Sequence, residues 1–309
     1  MKVAILLNVE GNAVVQSHPE TIRERLTMLL AAAGIDASIR PVCGATLLQA
    51  AKDVLDARGE RDVPLFDAIV IGGGDGSIGT AAGLLLGRDT PLGILPLGTL
   101  NHFAQDLNLP LDLEGAVRVV VSGHVSRVDV AEVNGRVFVN NSSLGFYPDM
   151  LADRIDQQRR LGRNKWIAGI VAFGRVLRSF PLHRFEICTT HGVRPRKTPC
   201  AFVGNNCYGV RPPYFGARTS LDHGELCVYI AQRQSRLGWL SLVFKAIFRG
   251  LSPKGDFELI RARSIEIRSR RQRLRVAVDG ELEIMRSPLR YISHPAALRV
   301  LTPRPGTPL

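Results

Sequence analysis

The stretch AIVIGGGDGSIGT, Ala68 to Thr80, clusters glycines around a single aspartate directly after an apolar run. Glycine permits positive φ and close backbone approach, so N–H groups left open at a helix start can cradle phosphate oxygens. Gly74, Gly76 and Gly79 satisfy the G-x-G-x-x-G spacing of a dinucleotide site, yet LGILPLGTLN supplies no acidic residue for a ribose, and the loop has no Lys-Ser/Thr pair of a Walker motif. Asp75 inside a phosphate cradle is repulsive unless a cation stands between the two charges, which points to Mg²⁺-nucleotide. PLGTLNHFAQDLNLP (96–110) repeats the arrangement, with Gly98 and Thr99 between a strand and a helix. Two neighbouring cradles fit a polyphosphate; a glycine turn with no ligand is the bland alternative. Taken alone, Val278-Asp279-Gly280-Glu281 reads as a hairpin corner and Asp129 as an ordinary strand acid.

The elements needed to position these loops are legible. KVAILLNV (2–9), IDASIRPV (35–42), FDAIVI (66–71) and LGILP (92–96) read as strands, separated by helices after Ser17, around 45–57 and from Ser77. Ser17 with Glu20 suggests a capping box for the first helix. Such alternation predicts a parallel sheet covered on both faces, with ligands at the carboxyl ends of its strands. Beyond residue 125 the texture becomes alternating, with an Asn134-Gly135 turn and later runs such as HRFEICTT, ELCVYIA and RLRVAVDGELEI, which predicts an antiparallel β region. KWIAGIVAFGRVLRSF (165–180) and RLGWLSLVFKAIFRG (236–250) are apolar helical insertions with basic ends, either buried or lipid-facing.

The chain has 309 residues and a formal charge of +12, with seven arginines against one glutamate between Arg261 and Arg275. An anionic partner follows, either nucleic acid or an acidic membrane surface, although a solvated sheet face is the plainer account of the arginine cluster. No apolar run reaches the roughly 18 residues of a membrane span, and the start lacks a signal-peptide cleavage site, so a cytoplasmic protein is expected. Cys43, Cys188, Cys200, Cys207 and Cys227 form no CxxC pair, and reduced thiols are the expectation.

GGGDGS, PLGTLNHFAQDL, NNSSLGF and VDGE, in this order, resemble the diacylglycerol kinase catalytic-domain family of lipid kinases, including its bacterial branch, over residues 2 to about 298. The resemblance implies an α/β plus β architecture: a Rossmann-like nucleotide-binding domain of the NAD kinase and phosphofructokinase type over 1–128, with 288–309 packing back on it, and an antiparallel β-sandwich-like lipid domain over 129–287 with helical insertions. It implies ATP and Mg²⁺ as cofactors, with Asn8, Gly73, Gly74, Asp75, Gly76, Ser77, Gly98, Thr99 and Asn101 around the nucleotide. Asp75 and Asp129 would serve Mg²⁺, Asp222 of LDHGELCV a structural metal, and Asp279, beside Glu281, would be the general base. Three positions depart from the pattern: NVEGN lacks the first loop's usual hydroxyl, and His102 and His223 stand where acids are common.

The expected activity is γ-phosphate transfer from Mg-ATP to a hydroxyl of a membrane lipid such as diacylglycerol or a sphingoid lipid. The expected setting is cytoplasmic and peripheral on an anionic membrane surface, without nucleic acid and with a homodimer left open. A NAD kinase-like phosphotransferase and a catalytically silent nucleotide- or lipid-binding regulator are the alternatives.

Overall fold

The computed structural model describes residues 1–10, 18–59, 63–161, 165–180, 182–190, 192–209, 218, 220–232, 235, 238 and 257–304. Ser17, most of the 236–250 insertion and the last five residues of the Pro-rich tail therefore lie outside the described residues. The chain divides into two units: Met1–Val130 with Val137–Asn140 and His294–Leu309, and Ala131–Arg136 with Asn141–Ser293.

In the first unit, β1 (Lys2–Asn8), β2 (Asp36–Val42), β3 (Ala68–Gly73) and β4 (Leu92–Pro96) pair in parallel in the order β2-β1-β3-β4. Every residue of β3 and β4 is buried, as expected for strands covered on both faces. Val3, Ile5 and Leu7 pack with Ile22, Leu26 and Leu30 of the helix Pro19–Ala32 and with Val117 and Val120 of the helix Leu113–Ser122. Side chains alternate across a strand, so Leu6, Ile69 and Ile71 face the other way, toward the helices Gly44–Asp56 and Asp75–Leu85. His18, with no side-chain cap, precedes the first helix. Helix Leu113–Ser122 is better marked: the Asp112 carboxylate accepts from Gly115 N–H at 2.7 Å, and Gly123 ends it at φ 63°.

β5 (Val125–Val133) turns into β6 (Arg136–Phe138) through Asn134 (φ 48°) and Gly135 (φ 87°), the backbone that an Asn-Gly hairpin requires. The second unit holds an antiparallel sheet in the order β12-β11-β10-β7-β14-β15. Its strands are β7 (Asn141–Gly145), β10 (Cys200–Asn205), β11 (Leu226–Ala231), β12 (Phe257–Ala262), β14 (Arg273–Val278) and β15 (Glu281–Arg286). A second antiparallel set joins β8 (His183–Thr189) to β9 (Gly192–Thr198) on one side and to β13 (Ser264–Ser269) on the other; β13 in turn pairs with the start of β16 (Leu289–Leu301). The end of β16 belongs to the first unit, where Val300 pairs with Leu92. Tyr291 of β16 is fully buried and its hydroxyl lies 3.1 Å from Ser142 Oγ of β7. Gly145 has φ 87°, and a Cβ there would overlap the Pro199 carbonyl oxygen, which explains the glycine in NNSSLGF.

Helices Phe146–Leu161 and Lys165–Ser179 pack on each other. The second is neither wholly buried nor wholly solvated: Ala168, Ala172 and Val176 are buried, whereas Ile167 and Ile170 are 55% and 73% exposed. No helix among the described residues is long and apolar enough to cross a membrane.

Candidate functional site

β3 and β4 pair through Gly72↔Leu95 and Gly73↔Pro96, so the loops that follow them leave the sheet side by side. Gly74 and Gly98 then cross backbone on backbone: a Cβ on Gly98 would overlap Gly74 Cα, and one on Gly74 would come 3.3 Å from Gly98 Cα. Leu97 N–H donates to Gly73 O at 3.2 Å across this junction. Asn101 holds the second loop from inside. It is left-handed (φ 52°, ψ 42°) and buried, its side-chain amide donates to Pro96 O at 3.0 Å and Gly98 O at 3.1 Å, and its Oδ1 accepts from Gly98 N–H at 2.9 Å. Asparagine is one of the few non-glycine residues that adopts this backbone readily, and here its amide satisfies three loop groups.

Helix Asp75–Leu85 begins at the crossing, with Gly74 as an N-cap that contributes no side chain. Ile78 N–H is bonded to Gly74 O, so the N–H groups of Asp75, Gly76 and Ser77 precede any intrahelical acceptor, the arrangement that binds phosphate at a helix start. Asn8, at the end of β1, donates to Ser77 Oγ at 2.8 Å. Glu10 accepts from Gly44 N–H at 2.8 Å, at the start of helix Gly44–Asp56; this structural use of Glu10 has no signal in the sequence.

Asp75 has a second task beside any role toward a cation. Its two oxygens accept from His102 N–H at 3.1 Å and Phe103 N–H at 3.0 Å, fixing the short helix His102–Asp106 to the glycine loop. The His102 side chain is exposed, as is Thr99. Asn8, Gly73, Gly74, Asp75, Gly76, Ser77, Gly98 and Asn101 are therefore brought together in the first unit, with Thr99 at the edge. Asp129 is fully buried and accepts from Ala296 N–H at 2.8 Å.

In the second unit, Asp279 and Gly280 form the turn between β14 and β15 with φ 46° and 83°. Asp279 exchanges two bonds with Asn141: its N–H donates to Asn141 O at 2.9 Å, and its Oδ1 accepts from Asn141 N–H at 3.1 Å. The hairpin reading holds, and the turn ties Asp279 to Asn141 through both its N–H and its carboxylate. Glu281 is ion-paired with Arg136 at 3.1 Å, and Glu283 with the same guanidinium at 2.9 Å. Asp222 is exposed, with its carboxylate against the Ser220 hydroxyl.

Among the described residues, one set of at least three His, Cys, Asp or Glu side chains has its ligand atoms together: Cys207, Glu225 and Cys227. The two sulfurs are joined as a disulfide, which overturns the expectation of reduced thiols at this pair. No CxxC spacing marks them; the pairing Gly204↔Cys227 of β10 with β11 brings Cys227 beside the residues that follow β10. A further cluster has no signature in the sequence. Asp149, early in helix Phe146–Leu161, lies 3.2 Å from Arg275 Nη1 and 3.5 Å from His183 Nε2, beside a cavity of about 330 Å³. Burial pushes its carboxyl up, but His183 and Arg275 together outweigh burial and hold it below the ordinary value.

Residues 2–133 match the diacylglycerol kinase catalytic domain model. Over 254 residues the chain is 30% identical to a diacylglycerol kinase of Mycobacterium tuberculosis, covering 78% of each chain. The chain belongs to the diacylglycerol kinase family. It is 38% identical over 82 residues to a diacylglycerol kinase of Staphylococcus saprophyticus, 26% of this chain and 27% of that one. The fold matches the crystal structure of a diacylglycerol kinase from Bacillus anthracis with a TM-score of 0.69 and 19% identity, covering 98% of this chain and 97% of the other. The protein is accordingly a lipid kinase, and the glycine crossing falls inside the matched domain.

Proposed function

We propose that this lipid kinase transfers the γ-phosphate of Mg²⁺-ATP to the hydroxyl of a membrane lipid of the diacylglycerol or sphingoid type, working in the cytoplasm at an anionic membrane surface. The observation that carries this reading is the Gly74–Gly98 crossing with the open N–H groups of Asp75, Gly76 and Ser77 beside it. Those residues fit a polyphosphate: backbone approaches closely, the helix dipole favours negative charge, and no basic side chain is required. They also fit Mg²⁺, which keeps several waters and takes one or two carboxylates together with substrate phosphates. Asp75 would hold it, with Asp129 supporting through water. The bound ion would neutralise charge on the phosphate oxygens.

Asp279 would accept the proton of the lipid hydroxyl as that oxygen attacks phosphorus in line, while the N–H groups of the glycine loop hold the phosphates in place. The pair of hydrogen bonds with Asn141 supports this role by fixing the carboxylate within the turn. Glu281, tied to Arg136, would position the turn. Asp222 would mark the family's structural metal loop.

The test is transfer of labelled γ-phosphate to a panel of diacylglycerol, sphingoid base and NAD, with Asp279→Asn alongside. Labelled lipid, lost by at least about a thousandfold in Asp279→Asn while ATP affinity is kept, is the expected result; general-base loss alone accounts for about 10²–10⁴. Label on NAD only would overturn the lipid acceptor, and near-normal turnover of Asp279→Asn would remove it as base.

A further inference from the structure

The arginine cluster noted in the sequence separates into two populations. Arg261 pairs with Glu225 at 3.7 Å, Arg268 with Glu266 at 2.6 Å and Arg275 with Asp149 at 3.2 Å. Arg270 has no acidic partner among the described residues, and neither do Arg184 of β8 and Lys197 of β9. Strand register brings these three into one row. Arg184 pairs directly with Lys197, and Ser269, the last residue of β13, pairs with Phe185, so Arg270 leaves the strand next to this pair. All three are exposed and line one cavity of about 570 Å³ together with Arg268, Glu186 and Pro195.

Such a row is unfavourable on its own. Directly opposed residues on neighbouring strands have Cβ atoms about 4.5–5.5 Å apart, and like charges there destabilise the sheet. Glu186 is the single acid in the cavity wall, and Arg268 is already neutralised by Glu266. The opposite face of the same strands is treated differently. Phe185 and Ile187 are buried there, and Arg194 and Arg196 both reach Glu258, Arg196 through two bonds of 2.6 Å. On the packed face Arg194 and Arg196 are thus both neutralised, whereas on the open face Arg268 is paired with Glu266 and the row Arg270–Arg184–Lys197 is not.

We infer that the row Arg270–Arg184–Lys197 is a docking site for the phosphate groups of anionic phospholipids at a membrane surface. This deepens the proposed function, on which it rests for the choice of a lipid surface. Phosphate oxygens between the three cations would relieve their mutual repulsion. β9 is an edge strand, and Val193, 57% exposed on the face that carries Arg184 and Lys197, adds an apolar contact beside the charges. The cavity offers no exposed aromatic ring, since Phe185 is buried, so the base-stacking platform of single-stranded nucleic acid is missing from its wall.

The experiment is co-sedimentation of the full chain with phosphatidylcholine vesicles, with and without phosphatidylglycerol. Wild type would be set beside the triple variant Arg184→Gln/Lys197→Gln/Arg270→Gln and a control of equal charge loss, Arg40→Gln/Lys52→Gln/Arg88→Gln, on the exposed surface of the first unit. Each cation near an anionic surface contributes roughly fivefold in partitioning, so the row variant should lose about a hundredfold and the control far less. Restoring Arg184→Lys and Arg270→Lys with native Lys197 should recover most binding. Equal losses in the two triple variants, or none in the row variant, would overturn the assignment. Glycerol phosphate binding to the row in the absence of vesicles, as tightly as vesicles bind, would overturn it in favour of a soluble phosphate ester. Lipid phosphorylation in neutral detergent micelles separates the two claims. The row variant should retain it, and if no variant labels any lipid the kinase reading fails while the vesicle result is judged by itself.

Discussion

At the Gly74–Gly98 crossing, the groups that would meet a phosphate are backbone N–H groups held by neighbours about 3 Å away, whereas in the row Arg270–Arg184–Lys197 they are the ends of long exposed side chains. The first arrangement is preorganised and offers the phosphates no cationic side chain. The second carries three charges and no fixed geometry, so its attraction is screened by salt with a Debye length of about 10 Å at 0.1 M. One region can select the shape of a polyphosphate. The other can select only a density of negative charge, which suits a surface.

The sharpest way to break this contrast is Gly98→Ala. Its Cβ would overlap Gly74 Cα and crowd Asn101 Oδ1 at 2.7 Å, so the two loops would have to separate. Overpacking of this kind costs about 1–3 kcal/mol, so ATP binding should weaken by about 5- to 150-fold by calorimetry while vesicle binding stays unchanged, a separation that follows from the different chemistry of the two regions. ATP affinity within threefold of wild type would show that the loops do not need this contact.

Asn101 sharpens the same point with a smaller effect. Asn101→Gly keeps the left-handed backbone but removes three side-chain bonds, an expected loss of about 1–3 kcal/mol in urea melts. Asn101→Ala removes the bonds and adds backbone strain, so it should be worse by about 1 kcal/mol. Equal stabilities would mean that the backbone conformation is not limiting.

The two regions also differ in how far the amino-acid sequence discloses them. The glycine loop was readable because its residue types are demanded by local backbone geometry, and the second loop because it too follows a buried strand. What could not be read was that Gly74 and Gly98 touch, which depends on the pairing of β3 with β4. Asn101 looked like one more pocket residue, whereas its three bonds make it the brace of its loop. The basic row had no local signature, since Arg184, Lys197 and Arg270 come from separate stretches and meet only through antiparallel register. The same holds for Cys207 with Cys227 and for Asp149 with His183. Helix Phe146–Leu161 did carry a signal, Pro148 and Asp149 in its first turn, which the alternating texture of the surrounding strands concealed.

The smallest expected effect lies on the paired side of the row's own sheet. The Arg196 bonds, aided by Arg194 against a burial cost, hold the Glu258 carboxyl below its ordinary value near 4.5. A carboxyl depressed in the folded state stabilises fully above its ordinary value and loses that contribution as pH falls through the folded one. Glu258→Gln should therefore lower the melting temperature at pH 7, by the equivalent of at most about 1 kcal/mol for a pair only part-buried, and the gap from wild type should narrow as pH falls from the ordinary value near 4.5 through the lower folded one. Vesicle binding at pH 7 should rise slightly, because Arg194 and Arg196 lose their counter-charge. A gap in melting temperature that does not narrow as pH falls would mean that Glu258 acts through packing and not through charge, and the contrast between the neutralised Arg194 and Arg196 and the unpaired row would then rest on the row alone.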